Sequence, residues 1–306
     1  MPKLPERTRI YQCHHFDSTR WDYFEPRRDD IIIATSYKAG TTWTQAIVAH
    51  LLFPDCKFPA PPAEMSPWLD MRLVPLELSL NNLKAQQHRR FIKTHLPLDG
   101  MRYDERLKYL YIARDARDVF MSLWNHYTNM TDESLALMNM LIGRVGDEFP
   151  HPPDDIHAFW RDWTTRSWFE WETDGWPYWS HLSNVQSWWN YRHLPNIRLV
   201  HYSDMLDNAE REIRRIAAFL EIDVPESSWT DIVKAVSFAE MKQKGEHYAP
   251  GGGQFWKGGA STFLHKGTNG RWRDVLSDEE MSLYDAACAR ALTPDCRAWL
   301  ENGGDV

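Results

Sequence analysis

The chain has 306 residues, with 35 Lys and Arg against 43 Asp and Glu, so its formal net charge is −8. Its length allows one large domain or two small ones, and 43% apolar with 25% charged residues is typical of a globular protein rather than a disordered one. The acidic balance argues against nucleic acid as a partner, because such binding depends on an excess of Lys and Arg. A small anionic ligand in a local basic pocket remains compatible with it.

Targeting and cysteine patterns exclude further classes. The first residues contain no apolar stretch, so we expect no secretory signal, and no apolar run approaches the roughly 18–20 residues of a transmembrane segment. Four cysteines, Cys13, Cys56, Cys288 and Cys296, form no CxxC pair. We interpret them as reduced thiols and predict a cytoplasmic protein.

Short apolar runs alternate with amphipathic segments along the chain. The apolar runs predict strands at Ile31–Ala34, Arg90–Thr94, Leu107–Ala113 and Ile197–Tyr202. The amphipathic segments predict helices at Thr41–Phe53, at about Val119–Thr128, and through Ile213, Ile216, Ala217 and Leu220. This alternation predicts an α/β fold, with a central parallel sheet flanked by helices and ligands at the carboxyl ends of the strands.

Two segments interrupt the alternation. Residues 129–180 carry six of the 16 tryptophans among acidic residues, and residues 243–270 are rich in glycine. We expect a Trp-rich insert and a Gly-rich lid loop over one end of the sheet, within a single domain spanning 1–306. The Trp spacings of three and five residues are mostly compatible with a helix face.

The most informative segment is a candidate phosphate loop. A triple-Ile strand enters Ser36-Tyr37-Lys38-Ala39-Gly40, and a helix begins at Thr41-Thr42-Trp43. Small residues before a helix N-terminus expose backbone N–H groups to an anion, and the lysine adds a full charge. The pattern GxxxxGK[ST] is absent because Lys38 precedes Gly40, so a magnesium-bound triphosphate is not expected. A plain strand-to-helix turn is the alternative.

Two strand ends carry further candidate residues. Lys93 and His95 stand two apart and so share one face, where a histidine can act as a general base beside a cation. Alone, the pair is more often a solvated strand end. Arg114 follows the third strand and could make a bidentate contact with a phosphate, with Ser122 adding a hydroxyl. Pairing of Arg114 with Asp115 or Asp118 is an equally good interpretation of that segment.

Taken together, the segments resemble the cytosolic sulfotransferase family over about Arg28–Trp272. Lys38–Trp43 resembles the family's 5′-phosphosulfate loop, and Lys93–Pro97 resembles its KTHLP strand. Arg114 with Ser122 resembles its 3′-phosphate pair. Further matches are Gly175-Trp176 with Ser187-Trp188-Trp189, Tyr202–Met205, Ser237–Lys242 and His265–Trp272.

The resemblance implies a P-loop-like fold and transfer of a sulfuryl group from 3′-phosphoadenosine 5′-phosphosulfate (PAPS), without a metal. It assigns His95 as the general base, and Lys38 and Lys93 as the groups that neutralise charge during in-line displacement. The remaining donor-binding residues that it implies are Ala39, Gly40, Thr41, Thr42, Trp43, Arg114, Ser122, Tyr202, Phe238, Met241, His265, Lys266 and Gly267.

The sequence departs from the family pattern in three ways. Ala39 stands where a serine is common, so one hydroxyl is missing, and His265 stands where the family has arginine. The histidine puts one 3′-phosphate contact in doubt and could make donor affinity depend on pH. The family's dimer motif, KxxxTVxxxE, is not matched after Trp272, so the oligomeric state stays open.

The acceptor is expected to be a hydrophobic small molecule: an alcohol, a phenol or a lipid-like compound. Most tryptophans of the insert are better interpreted as core, and a few near His95 could line the acceptor pocket. The acidic residues Asp154, Asp155, Asp162, Glu170, Glu172 and Asp174 argue mildly against a polyanionic glycan, the alternative being a solvated face. Two other functions remain open: a P-loop kinase for small molecules, and a non-catalytic module that binds adenosine bisphosphate.

Overall fold

A four-stranded parallel sheet forms the centre of the computed structural model, which describes residues 3–140 and 145–306. Its strands are β1 (Ile31–Ala34), β2 (Phe91–Thr94), β3 (Lys108–Ala113) and β4 (Ile197–His201). Their order is β2-β1-β3-β4, so β1 pairs with β2 and β3 on its two sides. The predicted α/β class with a central parallel sheet is confirmed.

Helices surround this sheet. Along the chain they are α1 (Thr41–Leu52), α2 (Pro62–Met65), α3 (Leu76–Ala85), α4 (Ala116–Thr128), α5 (Asp132–Met140), α6 (Ile156–Thr165), α7 (His181–Trp189), α8 (Tyr202–Asp207), α9 (Ala209–Leu220), α10 (Trp229–Ala235), α11 (Phe238–Gln243), α12 (Gly245–Tyr248), α13 (Ala260–Phe263), α14 (Asp278–Ala291) and α15 (Pro294–Asn302). Short 3₁₀ segments lie at Ser18–Tyr23, Leu98–Gly100, Glu226–Ser228, Pro250–Gly253 and Arg271–Asp274.

The central strand explains why its sequence is apolar throughout. Ile31 and Ile33 pack into one hydrophobic cluster, whereas Ile32 and Ala34 pack into the cluster on the opposite face. All four side chains are fully buried, as expected for a strand covered on both faces. The clusters fix the sheet between two layers of helices, so the strand ends are held rigidly.

Parallel pairing brings several candidate residues to one edge of the sheet. Thr35, His95, Arg114 and Tyr202 each follow the last residue of a strand, and in parallel strands these ends meet at the same edge. The chain turns there directly into α4 after β3 and into α8 after β4. Tyr202 therefore belongs to a helix rather than to the end of the predicted fourth strand.

The Trp-rich segment differs from the helical face that its spacing suggests. Trp160 and Trp163 lie on α6 and are almost fully buried, but Trp168, Trp171, Trp176 and Trp179 lie outside helices. These four tryptophans lie in a loop instead of along one helix face, and ring packing such as the stacked Trp168–Trp176 pair stabilises that loop.

The acidic residues of the same segment are not all solvated either. Glu172 and Asp174 are buried, with 4% and 0% exposure, where they accept hydrogen bonds from the backbone N–H and the hydroxyl of Ser180. The alternative of a solvated acidic face is therefore wrong for these two carboxyls. They anchor the loop to the N-cap of α7 instead.

The four cysteines are free thiols, as predicted, with Cys56 exposed and the other three buried. Among residues 3–140 and 145–306, none of the helices is long and apolar enough to cross a membrane.

Candidate active site

The loop between β1 and α1 has the backbone geometry of an anion cradle. Lys38 and Gly40 both adopt positive φ angles, +51° and +117°, and Gly40 is the N-cap of α1. No side chain caps this helix, which leaves its first N–H groups available to an anion. A Cβ at position 40 would lie 3.0 Å from the ring of Tyr202, so the close approach of loop and tyrosine also requires glycine.

The two lysines of the site are half-buried, and the pKa of each is lowered. The Lys38 Nζ lies 3.1 Å from the His126 Nδ1 and 4.6 Å from the centre of the Phe263 ring. Burial, with help from Lys93 and Arg114, lowers the pKa of Lys38 to about 7. The Lys93 Nζ lies 4.6 Å from the centre of the Trp68 ring, and burial lowers its pKa to about 8, although Asp70 opposes the shift.

His95 is held as a neutral imidazole in one tautomer. Its Nδ1 lies 3.0 Å from the carbonyl oxygen of Thr35, which can only accept, so the Nδ1 carries the hydrogen and donates. The Nε2 is therefore unprotonated. Burial, followed by the charge of Lys93, keeps the pKa of His95 well below its usual range. The arrangement supplies a lone pair at neutral pH.

Thr35 also connects His95 to the phosphate loop. Its hydroxyl lies 3.0 Å from the His95 Nδ1 and 2.7 Å from the hydroxyl of Thr41, the first residue of α1. All three residues are buried. The candidate base and the candidate phosphate loop are thus parts of one hydrogen-bonded unit.

Arg114 turns towards the C-terminal loop rather than into a surface network. Its guanidinium donates to the Thr268 carbonyl at 2.8 Å and to the Asn269 side chain at 2.9 Å, and lies 4.3 Å from the centre of the Tyr202 ring. Asp115 pairs with Arg117 instead. The interpretation of Arg114 as a partner of Asp115 is therefore wrong. Its charge does act on Asp118, where it opposes the larger effect of burial, which raises the pKa of that carboxyl.

The C-terminal loop closes the same side of the site. Asp118 accepts a hydrogen bond from the Gly270 N–H at 2.7 Å, and Lys242 donates to the His265 carbonyl at 2.6 Å. Gly267 lies so close to Phe238 that a Cβ there would approach its ring to 2.6 Å. The partial burial of His265, followed by the charges of Arg271, Lys266 and Lys242, lowers its pKa. His265 is therefore neutral at pH 7.

One cavity of about 690 Å³ joins these elements. Every candidate residue from the sequence lines it except Ala39, whose side chain is fully buried in the hydrophobic core. Those lining it are Lys38, Gly40, Thr41, Thr42, Trp43, Lys93, His95, Arg114, Ser122, Tyr202, Phe238, Met241, His265, Lys266 and Gly267.

The donor part of the cavity combines groups that favour an anionic, aromatic ligand. The open N-terminus of α1 presents backbone N–H groups, and Arg114 adds a positive charge. The rings of Trp43 and Tyr202, whose centres are 5.4 Å apart, line the same part. This combination fits an adenosine phosphate.

The other part of the cavity is mostly apolar, and the sequence did not identify most of it. Its walls come from segments that are far apart in the chain: Trp68, Met71, Leu73, Val74, Met130, Leu137, Met138, Tyr178, Trp179, Phe255, Trp256 and Phe263. Of the tryptophans in the insert, only Trp179 lines the cavity, with its ring centre 5.9 Å from that of His95. Among residues 3–140 and 145–306, no group of three or more His, Cys, Asp or Glu side chains could hold a metal ion.

Two further histidines were missed. His15 and His126 line the cavity, yet each comes from a segment without a recognisable motif around it. No local spacing could have found them, because only the fold brings the N-terminal segment and α4 to the same cavity.

The chain is similar to known sulfotransferases over most of its length. The family model described as "Sulfotransferase domain" matches residues 28–295. A glycolipid sulfotransferase of Mycobacterium bovis is 30% identical, over 96% of this chain and 94% of its own length. Sulfotransferase 1A1 of Rattus norvegicus is also 30% identical, over 88% and 86% of the two chains.

Solved structures are similar in fold. A mouse sulfotransferase complexed with PAP superposes with a TM-score of 0.66 at 18% identity, over 94% of this chain and 98% of its own. Retinol dehydratase in a complex with retinol and PAP gives a TM-score of 0.67 at 22% identity, over 90% and 84%.

Proposed function

The chain belongs to the sulfotransferase domain family, and on that premise we propose that it transfers a sulfuryl group from PAPS to a hydroxyl of a hydrophobic acceptor. The observation that carries the proposal is the single cavity in which a neutral His95 faces apolar walls beside a phosphate loop with two lysines. Neither a kinase nor a binding module needs this combination.

The donor half of the cavity would hold PAPS through backbone and charge. The N–H groups at the start of α1 and the hydroxyls of Thr41 and Thr42 suit the 5′-phosphosulfate. Arg114 and Ser122, with the loop at His265–Gly267, suit the 3′-phosphate. Trp43 and Phe238, near Tyr202 and Met241, would enclose the adenine.

In the reaction, the Nε2 of His95 would accept the proton of the acceptor hydroxyl while that oxygen attacks sulfur. The bond between sulfur and the bridging phosphate oxygen breaks, and its electron pair stays on the phosphate. Lys38 and Lys93 stabilise the negative charge that develops there, so positioning and electrostatics do most of the work. We propose no role for a metal.

The apolar walls support a hydrophobic acceptor. Aromatic and aliphatic side chains surround His95, and a pocket of this kind favours an alcohol, a phenol or a lipid-like molecule over a polar sugar chain. The similarity to a glycolipid sulfotransferase along nearly the whole chain supports the lipid-like class.

Donor binding and sulfate transfer test the proposal separately. Adenosine 3′,5′-bisphosphate should raise the melting temperature strongly, since a ligand at a hundred times its Kd stabilises by about 2.7 kcal/mol. Radiolabelled PAPS should then transfer label to long-chain alcohols. The Lys38→Met variant should lose transfer, whereas Lys257→Met, an exposed lysine outside the cavity, should retain it. A thermal shift with magnesium ATP alone, and no transfer from PAPS, would contradict the proposal.

A further inference from the structure

Besides His95 and His265, two histidines line the cavity, and the proposed reaction does not use them. His15 comes from the N-terminal segment and is 5% exposed, while His126 lies on α4 and is half-buried. Both line the cavity. A histidine placed in an apolar wall costs free energy unless its nitrogens find hydrogen-bond partners. Each has a partner for its Nδ1, which leaves its Nε2 to be explained.

A chain of hydrogen bonds fixes the tautomer of His15. The His14 Nε2 lies 2.8 Å from the carbonyl oxygen of Pro177, which can only accept, so that nitrogen carries a hydrogen. The His14 Nδ1 is then unprotonated and accepts from the Nδ1 of His15. The remaining nitrogen of His15, Nε2, has a lone pair and makes no hydrogen bond within the described residues. His15 thus presents an acceptor to the cavity.

His126 is held in the other neutral tautomer. Its Nδ1 lies 3.1 Å from the Lys38 Nζ. Once a bound anionic donor favours the charged form of Lys38, the ammonium group can only donate, so the Nδ1 accepts. The Nε2 of His126 then carries the hydrogen and can donate. Burial, followed by the charge of Lys38, keeps the pKa of His126 well below its usual range, so the ring stays neutral.

Both histidines lie near the reacting centre. The ring centre of Trp179 is 5.9 Å from those of both His15 and His95, and His126 contacts Lys38 directly. An acceptor molecule bound at His95 would therefore meet one hydrogen-bond acceptor and one donor beside the apolar walls of the cavity.

We infer that the acceptor carries further hydroxyl or ether oxygens beside the hydroxyl that is sulfated, which His15 and His126 hydrogen-bond. The substrate class is a compound with a polyol head group on an apolar tail, rather than a simple alcohol or a phenol. This inference rests on the proposed function, since it concerns the acceptor of that reaction.

Two probes of equal tail length test the inference: 1-dodecanol and 1,2-dodecanediol. Wild-type protein should show a kcat/KM for the diol at least tenfold above that for the alcohol. His15→Phe and His126→Phe replace each imidazole with an apolar ring of similar size. Each should reduce the diol-to-alcohol ratio by about 3- to 10-fold, the range of one lost hydrogen bond. Because each variant is scored by a ratio, general effects on folding or donor binding cancel.

A matched control and a second measurement keep the result interpretable. His193→Phe changes an exposed histidine outside the cavity and should leave the ratio as in wild type. Quenching of tryptophan fluorescence by each probe, with adenosine 3′,5′-bisphosphate present, gives the two Kd values without turnover, since Trp68, Trp179 and Trp256 line the cavity. If His15→Phe does not fold, His126→Phe on α4 tests the same inference independently.

Equal kcat/KM and equal Kd for both probes in wild type would overturn the inference, as would variants that lower both probes alike. If neither probe is sulfated but the diol binds more tightly and the variants remove that difference, the inference stands and the proposed reaction fails. The two failures are thus distinguishable.

Discussion

The two halves of the cavity are built in different ways. The donor half consists of short motifs at the ends of neighbouring strands, as in the loop from Lys38 to Trp43 and the Arg114 turn. The acceptor half is assembled from the N-terminal segment, the residues after α2, the helices α4 and α5, and the Trp-rich and Gly-rich segments. Phosphate binding needs backbone N–H groups in one fixed arrangement, whereas an apolar wall needs only volume. The first is therefore local in sequence and the second is not.

The largest expected effect lies where the halves meet. We expect His95→Ala to lower kcat by about 10²- to 10⁴-fold, the usual contribution of a general base. Binding of adenosine 3′,5′-bisphosphate should change little, because the base contacts the acceptor side. Single-turnover kinetics and a thermal shift measure the two properties. If the His95→Ala variant keeps its rate, His95 is not the general base of the reaction.

A substitution confined to the donor half should affect affinity instead. Arg114→Met removes the cation that faces the C-terminal loop, and a charge-assisted hydrogen bond contributes about 1.5–3 kcal/mol. We expect affinity for adenosine 3′,5′-bisphosphate to fall about 10- to 100-fold, and affinity for adenosine 5′-monophosphate to stay nearly constant. Calorimetric titration of both ligands provides the comparison. An equal loss for both would show that Arg114 holds the loop rather than the 3′-phosphate.

The Trp-rich segment, which supplies part of the acceptor wall, should make the stability of the protein depend on pH through the buried Asp174. Burial raises the pKa of Asp174 to about 7, so the folded protein holds a proton that the unfolded chain releases at lower pH. Stability from this group is present in acid and is lost as the pH rises from about 4 to 7. Over this pH range, Asp174 should lower the free energy of unfolding of the wild-type protein. We expect Asp174→Asn to make that decrease smaller by roughly 1–3 kcal/mol. Urea unfolding at pH 5 and pH 7.5 measures it.

The matched control for this experiment is Asp162→Asn in the same segment. Asp162 pairs with Arg166 at the surface, and such pairs contribute little. Its pH profile should follow that of wild type. Identical profiles for Asp174→Asn and wild type would mean that the buried carboxyl does not titrate in this range.

The smallest expected effect concerns His265 in the donor loop. Because its pKa is lowered, it is neutral at pH 7 and gains charge only in acid. We expect His265→Arg to raise affinity for adenosine 3′,5′-bisphosphate about 3- to 10-fold at pH 7.5, with a smaller gain at pH 5.5. A gain that does not change with pH would indicate that His265 stays neutral or does not face the ligand.

The sequence was sufficient to predict the sheet and a set of residues that the fold brings to one cavity. Strand β1 was predicted with its bounds because a strand buried on both faces must be apolar at every position. Arg114 was predicted at a strand end, but its partners Thr268 and Asn269 could not be, since they lie more than 150 residues away. The roles of these residues in donor binding remain predictions.

The acceptor half was largely inaccessible to the same reasoning. His15 and Trp179 approach each other only because the N-terminal segment packs against the loop after α6. Glu172 and Asp174 carry no signal of burial, because a carboxylate in a sequence is usually solvated. The positions of such side chains depend on packing between distant segments, and no spacing pattern in the sequence indicates them.

Lys38 has a consequence for the energetics of donor binding. With a pKa of about 7, it is only partly protonated before a ligand arrives, and an incoming phosphosulfate would favour its charged form. Binding must then draw a fraction of a proton from the medium. Heats measured by calorimetry would differ between buffers with different ionisation enthalpies, and the slope of that difference would count the protons taken up at the phosphate loop.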